Sequence, residues 1–233
     1  MNIIEVTELI RKEILIEFRR KSSLGGLILY TVSALFIFFL TIKKFNDPAV
    51  INAILWITIL FGSVNVAARS FIQEGEGSHF YFYTLVSSQT LIISKIIYNF
   101  FIIVMLSFIA SGAVWLWSGN LGGLPALMEM HEQRQAGNFP EFLLIILLGS
   151  TGLSTLLTFV SSISSKSTNQ PMLMAILSFP LILPLLMVVI RLTEAVFEGS
   201  GFSEIIKDIS ILASLDIIII TLAIILFPYL WKE

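Results

Sequence analysis

Few side chains in this sequence could do nucleophilic or acid–base chemistry. The chain has no cysteine, and its two histidines, His79 and His131, both fall in predicted loops. The segment Gly149-Ser150-Thr151-Gly152 does not match the Gly-x-Ser-x-Gly pattern of a nucleophilic serine, and the sequence has no Gly-x-x-x-x-Gly-Lys-[Ser/Thr] phosphate loop. We therefore predict no catalytic residue and no metal site, and we expect any ATP hydrolysis or redox chemistry to belong to another chain.

The loop around His131 contains the ligand types of haem iron. It reads Met128-Glu129-Met130-His131-Glu132, and imidazole and thioether groups are the axial ligands of haem in many proteins. An ordinary polar loop with a solvated histidine explains the same residues. Haem contact at His131 is therefore one of two interpretations, and no other bound cofactor is predicted.

Asp216 is the one carboxylate that lies well inside an apolar run. An ionised Asp at that depth in a membrane costs about 2.5–3.5 kcal/mol on insertion scales. We therefore expect Asp216 to face other helices, to pair, or to stay protonated. A structural or partner-facing carboxylate and a proton-coupled site both remain open.

The segment from Arg69 to Leu85 has the composition of a docking site. It begins with charges and glycines and continues as His79-Phe80-Tyr81-Phe82-Tyr83-Thr84-Leu85. This aromatic run is too short to span a membrane and too apolar to face water, so we expect it to contact a partner or the membrane interface. An acidic start followed by a short helix would suit docking into a groove on a cytoplasmic protein.

The composition sets the class of protein to which these residues belong. Of the 233 residues, 56% are hydrophobic and 13% are charged, whereas a soluble domain carries about 25% charged residues. The mean hydropathy is +0.92, and the net charge is −2. These values indicate a polytopic membrane protein and exclude a disordered chain or a nucleic-acid-binding domain.

Six apolar runs are long enough to cross a membrane, which takes about 20 residues. A backbone between lipid tails must satisfy its own hydrogen bonds, and no strand alternation is present, so the predicted fold class is all-α. The whole chain, 1–233, is predicted to be a single transmembrane domain. The predicted spans cover residues 24–42, 48–68, 91–117, 142–163, 171–189 and 210–230.

The first residues are predicted to form an amphipathic helix on the membrane surface over 3–21. Its apolar residues recur every three or four positions, as a surface-lying helix requires. They are Ile3, Val6, Ile10, Ile14 and Phe18. No small-residue cleavage site follows, so we expect no cleavable signal peptide.

Lysines and arginines predict the orientation. With the N-terminus inside, nine of the 14 basic residues fall on the cytoplasmic side and five on the other, which places both termini in the cytoplasm. Within the spans, Pro180 and Pro184 predict a kink or a broken helix in the fifth. Small polar residues along the fourth span, from Ser150 to Ser162, predict close helix packing.

The chain resembles the haem exporter protein B family, CcmB, a group of ABC-2 type transporter permeases of cytochrome c maturation. The resemblance is carried by Arg69, Phe71 and Glu74, with Gly77 one residue early, and then by Leu85 and Lys95. Two more specific blocks are Leu147-Leu148-Gly149-Ser150-Thr151-Gly152-Leu153-Ser154 and Phe179-Pro180-Leu181-Ile182-Leu183-Pro184-Leu185-Leu186. The stretches His79 to Tyr83 and Ser164 to Gln170 depart from the family pattern.

The resemblance implies a permease subunit that a separate ATP-binding subunit drives from the cytoplasmic side of the inner membrane. It further implies a second copy of the chain, a haem-handling membrane subunit and a haem carrier as partners, and haem export or release of a loaded carrier as the outcome. The residues that would couple the permease to the ATPase are Arg69, Phe71, Glu74, Glu76, Gly77, Phe80, Tyr81 and Leu85.

Three alternatives stay open. The chain could be a permease of another ABC-2 exporter, which would share the Arg69 to Leu85 pattern. It could be a proton-coupled carrier that works through Asp216. It could also be a scaffold, for which replacing the Gly77 to Leu85 segment would have no effect on c-type cytochromes.

Overall fold

The structure, a computed structural model, describes residues 3–19, 22–42, 47–72, 86–118, 138–165, 167 and 169–231. Within these residues it contains α-helices and no strand, which confirms the all-α prediction. The helices are α1 (Ile3–Arg19), α2 (Ser22–Thr41), α3 (Pro48–Ile72), α4 (Ser88–Ser118), α5 (Asn138–Ser164), α6 (Gln170–Phe197) and α7 (Phe202–Trp231).

Helices α2 to α7 are the six candidate membrane spans, each long and apolar enough to cross a bilayer. Several extend beyond the predicted apolar runs; α6, for example, continues eight residues past 189, to Phe197. Its last turns meet α7 through an ion pair in which Arg191 Nε lies 3.2 Å from Asp208 Oδ2. Charged side chains are favoured where a helix leaves the hydrocarbon, so the helices do not end with their apolar residues.

Helix α5 lies at the centre of the bundle and packs against α3, α4, α6 and α7. Of its membrane span 67% is buried inside the protein, compared with 17% of the α2 span. Its small polar residues make the contact: Ser154 Oγ donates to Ile96 O at 2.8 Å and Ser161 Oγ to Ala67 O at 2.8 Å. The prediction that these residues serve helix packing is confirmed.

Two further polar contacts join α5 to α4. Asn99 Nδ2 donates to Thr158 Oγ1 at 2.8 Å, and the hydroxyls of Ser107 and Ser150 lie 3.3 Å apart. Hydrogen bonds between helices hold a membrane bundle together where hydrophobicity cannot, because lipid is as apolar as the helix surfaces.

Helix α6 continues through Pro180 and Pro184 without a break. The broken helix, one of the two outcomes expected from these prolines, is therefore not what forms. Both prolines lie on the exposed side of α6, away from the contact with α5. The buried face of the same stretch carries Ile182 and Leu185. The face of α6 that packs in the bundle is therefore opposite the face that carries the two prolines, which have no N–H donor.

The amphipathic helix α1 packs along α4. Val6, on the predicted apolar face, is buried, but Ile14 on that face is exposed. The buried side of α1 instead includes Glu17, and the side chain of Glu13 also points inward, with 12% exposure. Helix α1 therefore turns acidic groups, rather than only apolar ones, toward the membrane helices.

Candidate functional site

The residues predicted to couple the chain to an ATPase begin at the end of α3. Arg69 and Phe71 lie in the last turn of that helix, and α4 begins at Ser88 after the intervening segment. The predicted coupling residues within that segment lie outside the described residues, as does the candidate haem ligand His131. These coupling residues are Glu74, Glu76, Gly77, Phe80, Tyr81 and Leu85.

A buried lysine two turns into α4 joins three helices at this point. Lys95 is 1% exposed, and its ammonium group donates to the backbone oxygen of Ser70 in α3. Lys95 Nζ lies 3.5 Å from Glu13 Oε1 in α1 and 4.7 Å from the centre of the Phe71 ring. We call Glu13, Ser70, Phe71 and Lys95 the Lys95 cluster.

The chemistry of the Lys95 cluster explains why a charge can lie there. A buried cation is very costly unless it is paired and hydrogen-bonded, and here a carboxylate, a carbonyl oxygen and an aromatic face all surround it. Removing one partner of a buried ion pair costs about 3–5 kcal/mol. The cluster therefore holds α1, α3 and α4 in one arrangement, with directional contacts that apolar packing does not provide.

Phe71 is inside the protein rather than on its surface. Its ring is 2% exposed and packs in a small apolar cluster with Leu91 and Ile92 of α4 and Phe227 of α7. The structure thus brings Phe71 together with Lys95 and with the ends of three membrane helices.

A second polar contact between α1 and α4 lies one turn from the first. Tyr98 of α4 and Glu17 of α1 are both buried, and they line the same cleft between the two helices. A narrow cleft between these helices and the ends of α2 and α3 is lined by Glu13, Glu17, Arg69 and Tyr98. Arg69 therefore faces the same acidic side of α1 as Lys95.

Sequence reasoning did not select Glu13, Glu17 or Tyr98. One signal was present, because Glu13 and Glu17 are four residues apart and so share a helix face with Val6. Lys95 and Tyr98, three residues apart in an apolar run, form the matching pair on α4. Polar residues at helical spacing mark a polar face on each of the two helices, but they do not indicate that these two faces meet.

Asp216 lies apart from this cluster, midway along α7. It is 3% exposed and packs so close to α5 that a methyl group added at Gly152 would lie 2.5 Å from Asp216 Oδ1 and 2.6 Å from Leu185 Cδ1 of α6. Asp216 therefore faces other helices, which is one of the three outcomes that the sequence predicts for this carboxylate. Within the described part of the chain, neither carboxylate oxygen has a hydrogen-bond partner.

A comparison with protein families identifies the chain. The family model described as CcmB protein matches residues 4–229, which is nearly the whole sequence. The chain belongs to the CcmB family. A comparison with curated proteins gives no significant match.

The CcmB family provides the permease component of the haem export system of cytochrome c maturation, and this chain is accordingly a multi-pass membrane protein of that family. Of the residues singled out in this CcmB chain, Phe71 lies beside Lys95, and Arg69 lines the neighbouring cleft with Glu13. Pro180, Pro184 and Asp216 lie elsewhere, in α6 and α7.

Proposed function

We propose that this CcmB protein is the membrane subunit through which a separate ATPase drives haem export, or release of a haem-loaded carrier, for cytochrome c maturation. The observation that carries the proposal is the position of the Lys95 cluster. The segment over 73–85 leaves α3 and enters α4 where these helices are tied to each other and to α1. A push on that segment would therefore reach three helices at once.

In this proposal the coupling residues divide into two groups. Glu74, Glu76, Phe80 and Tyr81 contact the ATPase, because an acidic start and an aromatic run suit a groove on a cytoplasmic protein. Phe71 acts indirectly, since its ring is buried against Lys95 and Leu91. The ATP-binding site belongs to the partner because the chain has no phosphate loop.

The same proposal places both termini in the cytoplasm and the chain in the inner membrane. The excess of lysine and arginine on the side of the 73–85 segment supports this orientation. A second copy of the chain and a haem-handling membrane subunit with its haem carrier complete the assembly. Haem contact at His131 would belong to the outer face.

Substitutions in the 73–85 segment test the ATPase coupling. We expect Glu74→Ala and Phe80→Ala to lower the cellular yield of c-type cytochromes strongly, because they remove contacts to the ATPase. Asp216→Asn, which keeps the shape of the side chain, should leave the yield unchanged. The measurement is haem staining of c-type cytochromes, with each variant first shown to accumulate in the membrane at the wild-type amount.

A proton-coupled carrier is the second candidate, favoured by one observation: the buried Asp216 carboxyl, whose oxygens lack hydrogen-bond partners among the described residues. It predicts the reverse result, in which Asp216→Asn abolishes the yield while Glu74→Ala and Phe80→Ala keep it. That result would reject ATPase coupling through this segment.

Purification in mild detergent tests the partners. We expect an ATP-binding subunit and a haem-carrying membrane subunit to remain with the chain. Replacing residues 77–85 with a Gly-Ser segment of equal length should release the ATPase but not the haem-carrying subunit, because only the first docks there. Recovery of an ATPase without any haem-carrying subunit, from the unaltered chain, would instead indicate another ABC-2 exporter.

A further inference from the structure

The carbonyl oxygen that accepts a hydrogen bond from Lys95 belongs to the last described turn of α3. Ser70 lies within the last four residues of α3, where carbonyl oxygens have no intrahelical N–H partner and carry the negative end of the helix dipole. A lysine at a helix C-terminus satisfies such an oxygen and is attracted by the dipole. This lysine comes from another helix, so the end of α3 is capped by α4.

This contact ties the end of α3 to the first turns of α4, which are the two helices that the 73–85 segment connects. The cap is on α3, and Lys95 itself lies seven residues after the start of α4 at Ser88. The ammonium group that makes the cap also pairs with Glu13, so the position of α1 depends on the same side chain. Glu17 of α1 and Tyr98 of α4 line the cleft between these helices one turn further along.

Stability alone does not require a lysine at this place. A buried ion pair is often no more stable than apolar residues of the same volume, and its best attested role is to select one arrangement among several. An apolar side chain at position 95 could fill the space against Phe71, Leu91 and Phe227. It could not cap α3 or hold Glu13 in register.

We propose that Lys95 is the positioning residue of the permease: by capping α3 at Ser70 and pairing with Glu13, it makes α1 and the ends of α3 and α4 move as one body. The proposal rests on the proposed function, because the motion that this body transmits is the one an ATPase imposes on the 73–85 segment. In this proposal α1 helps to transmit that motion and does not serve only as a membrane anchor.

The absence of cysteine from the sequence allows a direct test with two engineered cysteines. Thr7 on α1 and Gln89 on α4 are exposed, and spin labels there report the distance between the two helices in the purified chain. We expect a narrow distance distribution in the otherwise unaltered protein and a broad one after Lys95→Met, which keeps an unbranched side chain one atom shorter and removes the charge. Lys95→Arg should restore a narrow distribution, because it keeps the donor and the charge.

A matched control breaks a partly exposed ion pair between two other helices. Arg191→Ala removes the contact to Asp208, and neither the label distances nor the cytochrome yield should change. If Lys95→Met fails to accumulate in the membrane, Glu13→Gln serves instead, since it leaves the contact of Lys95 with Ser70 and removes the charge that pairs with Lys95. The same substitution also removes the pair of Glu13 with Lys12 inside α1, at 3.6 Å, which does not join α1 to another helix. It should broaden the distribution as well.

In cells, Lys95→Met should lower the yield of c-type cytochromes about tenfold, a size typical of energetic coupling between two sites, while the ATPase still co-purifies. An unchanged label distribution in both Lys95→Met and Glu13→Gln would overturn the proposal. A broadened distribution with normal cytochrome yield would also overturn it. A failure of the proposed function would give a different result. In that case the Gly-Ser replacement of residues 77–85 would leave the yield of c-type cytochromes normal.

Discussion

Trp56→Ala is expected to lower the free energy of unfolding by about 3–5 kcal/mol, the range found when a large buried aromatic side chain is removed. Trp56 in α3 is 1% exposed and fills the space between α3, α5 and α6. Its indole Nε1 donates to Thr193 Oγ1 of α6 at 3.0 Å. The substitution therefore removes both the packing and a hydrogen bond between helices. Thermal unfolding in detergent and denaturation in mixed micelles would measure the loss.

Two variants separate the contribution of Trp56 packing from that of its hydrogen bond to Thr193. Trp56→Phe keeps most of the apolar volume and loses the donor, so we expect a smaller loss of about 1 kcal/mol. The Thr193 hydroxyl still donates to Val189 O at 2.9 Å and is not left unsatisfied. Trp115→Ala, at a tryptophan that is 45% exposed, is the control and should change the midpoint little. Equal losses for Trp56→Ala and Trp115→Ala would contradict the packing described here.

Gly149→Ala is expected to cost about 1–3 kcal/mol through overpacking. A methyl group at Gly149 would lie 2.7 Å from Cη2 and 3.1 Å from Cζ3 of Trp56, and 3.3 Å from Val189 Cγ1. The Trp56 ring is rigid, buried and held by Thr193, so it cannot turn away as a flexible side chain would. We expect α5 to move away from α3, with a lower unfolding midpoint.

Gly112→Ala is the matched control for this substitution. Gly112 is also helical, in α4, and a methyl group there would have no neighbour within 4 Å. Alanine is favoured over glycine in a helix by about 0.8–1.0 kcal/mol, so Gly112→Ala should keep or raise the midpoint. In the Trp56→Ala background, Gly149→Ala should cost much less than alone, because most of the clash is with the missing ring. Additive losses would show that Trp56 is not what excludes the methyl group.

Much of the fold could be predicted because span length and apolarity are local properties of the sequence. Six apolar runs predict six helices, and the hydroxyls of α5 predict contacts such as that of Ser154 with Ile96 O. The effect of Pro180 and Pro184 on α6 is not a local property of the sequence. Each proline removes one N–H donor from the helix, and whether the helix then continues depends on its contacts with neighbouring helices, which no local pattern contains.

The inward face of α1 could not be predicted from its apolar residues. In water an apolar face points toward the protein, but beside a membrane it can point equally well toward lipid, and Ile14 on this face is exposed. Glu13 faces inward, where it pairs with Lys95, and Glu17 faces the cleft that it lines together with Tyr98. The spacing of the two glutamates marks a polar face of α1, but which helix meets that face depends on the arrangement of α1 against α4, about 80 residues apart in sequence.

The hydrogen bonds of α5 also bear on the order in which the chain can be assembled during synthesis. The four partners described above are Ala67 in α3 and Ile96, Asn99 and Ser107 in α4, and all of them precede α5 in the sequence. When α5 leaves the ribosome and enters the bilayer, its matching groups are already in place. The polar groups of α5 can therefore form these hydrogen bonds before α6 and α7 are inserted. A nascent chain that contains only the first four spans already has the contacts between α5 and its two predecessors, against which α6 and α7 can then pack.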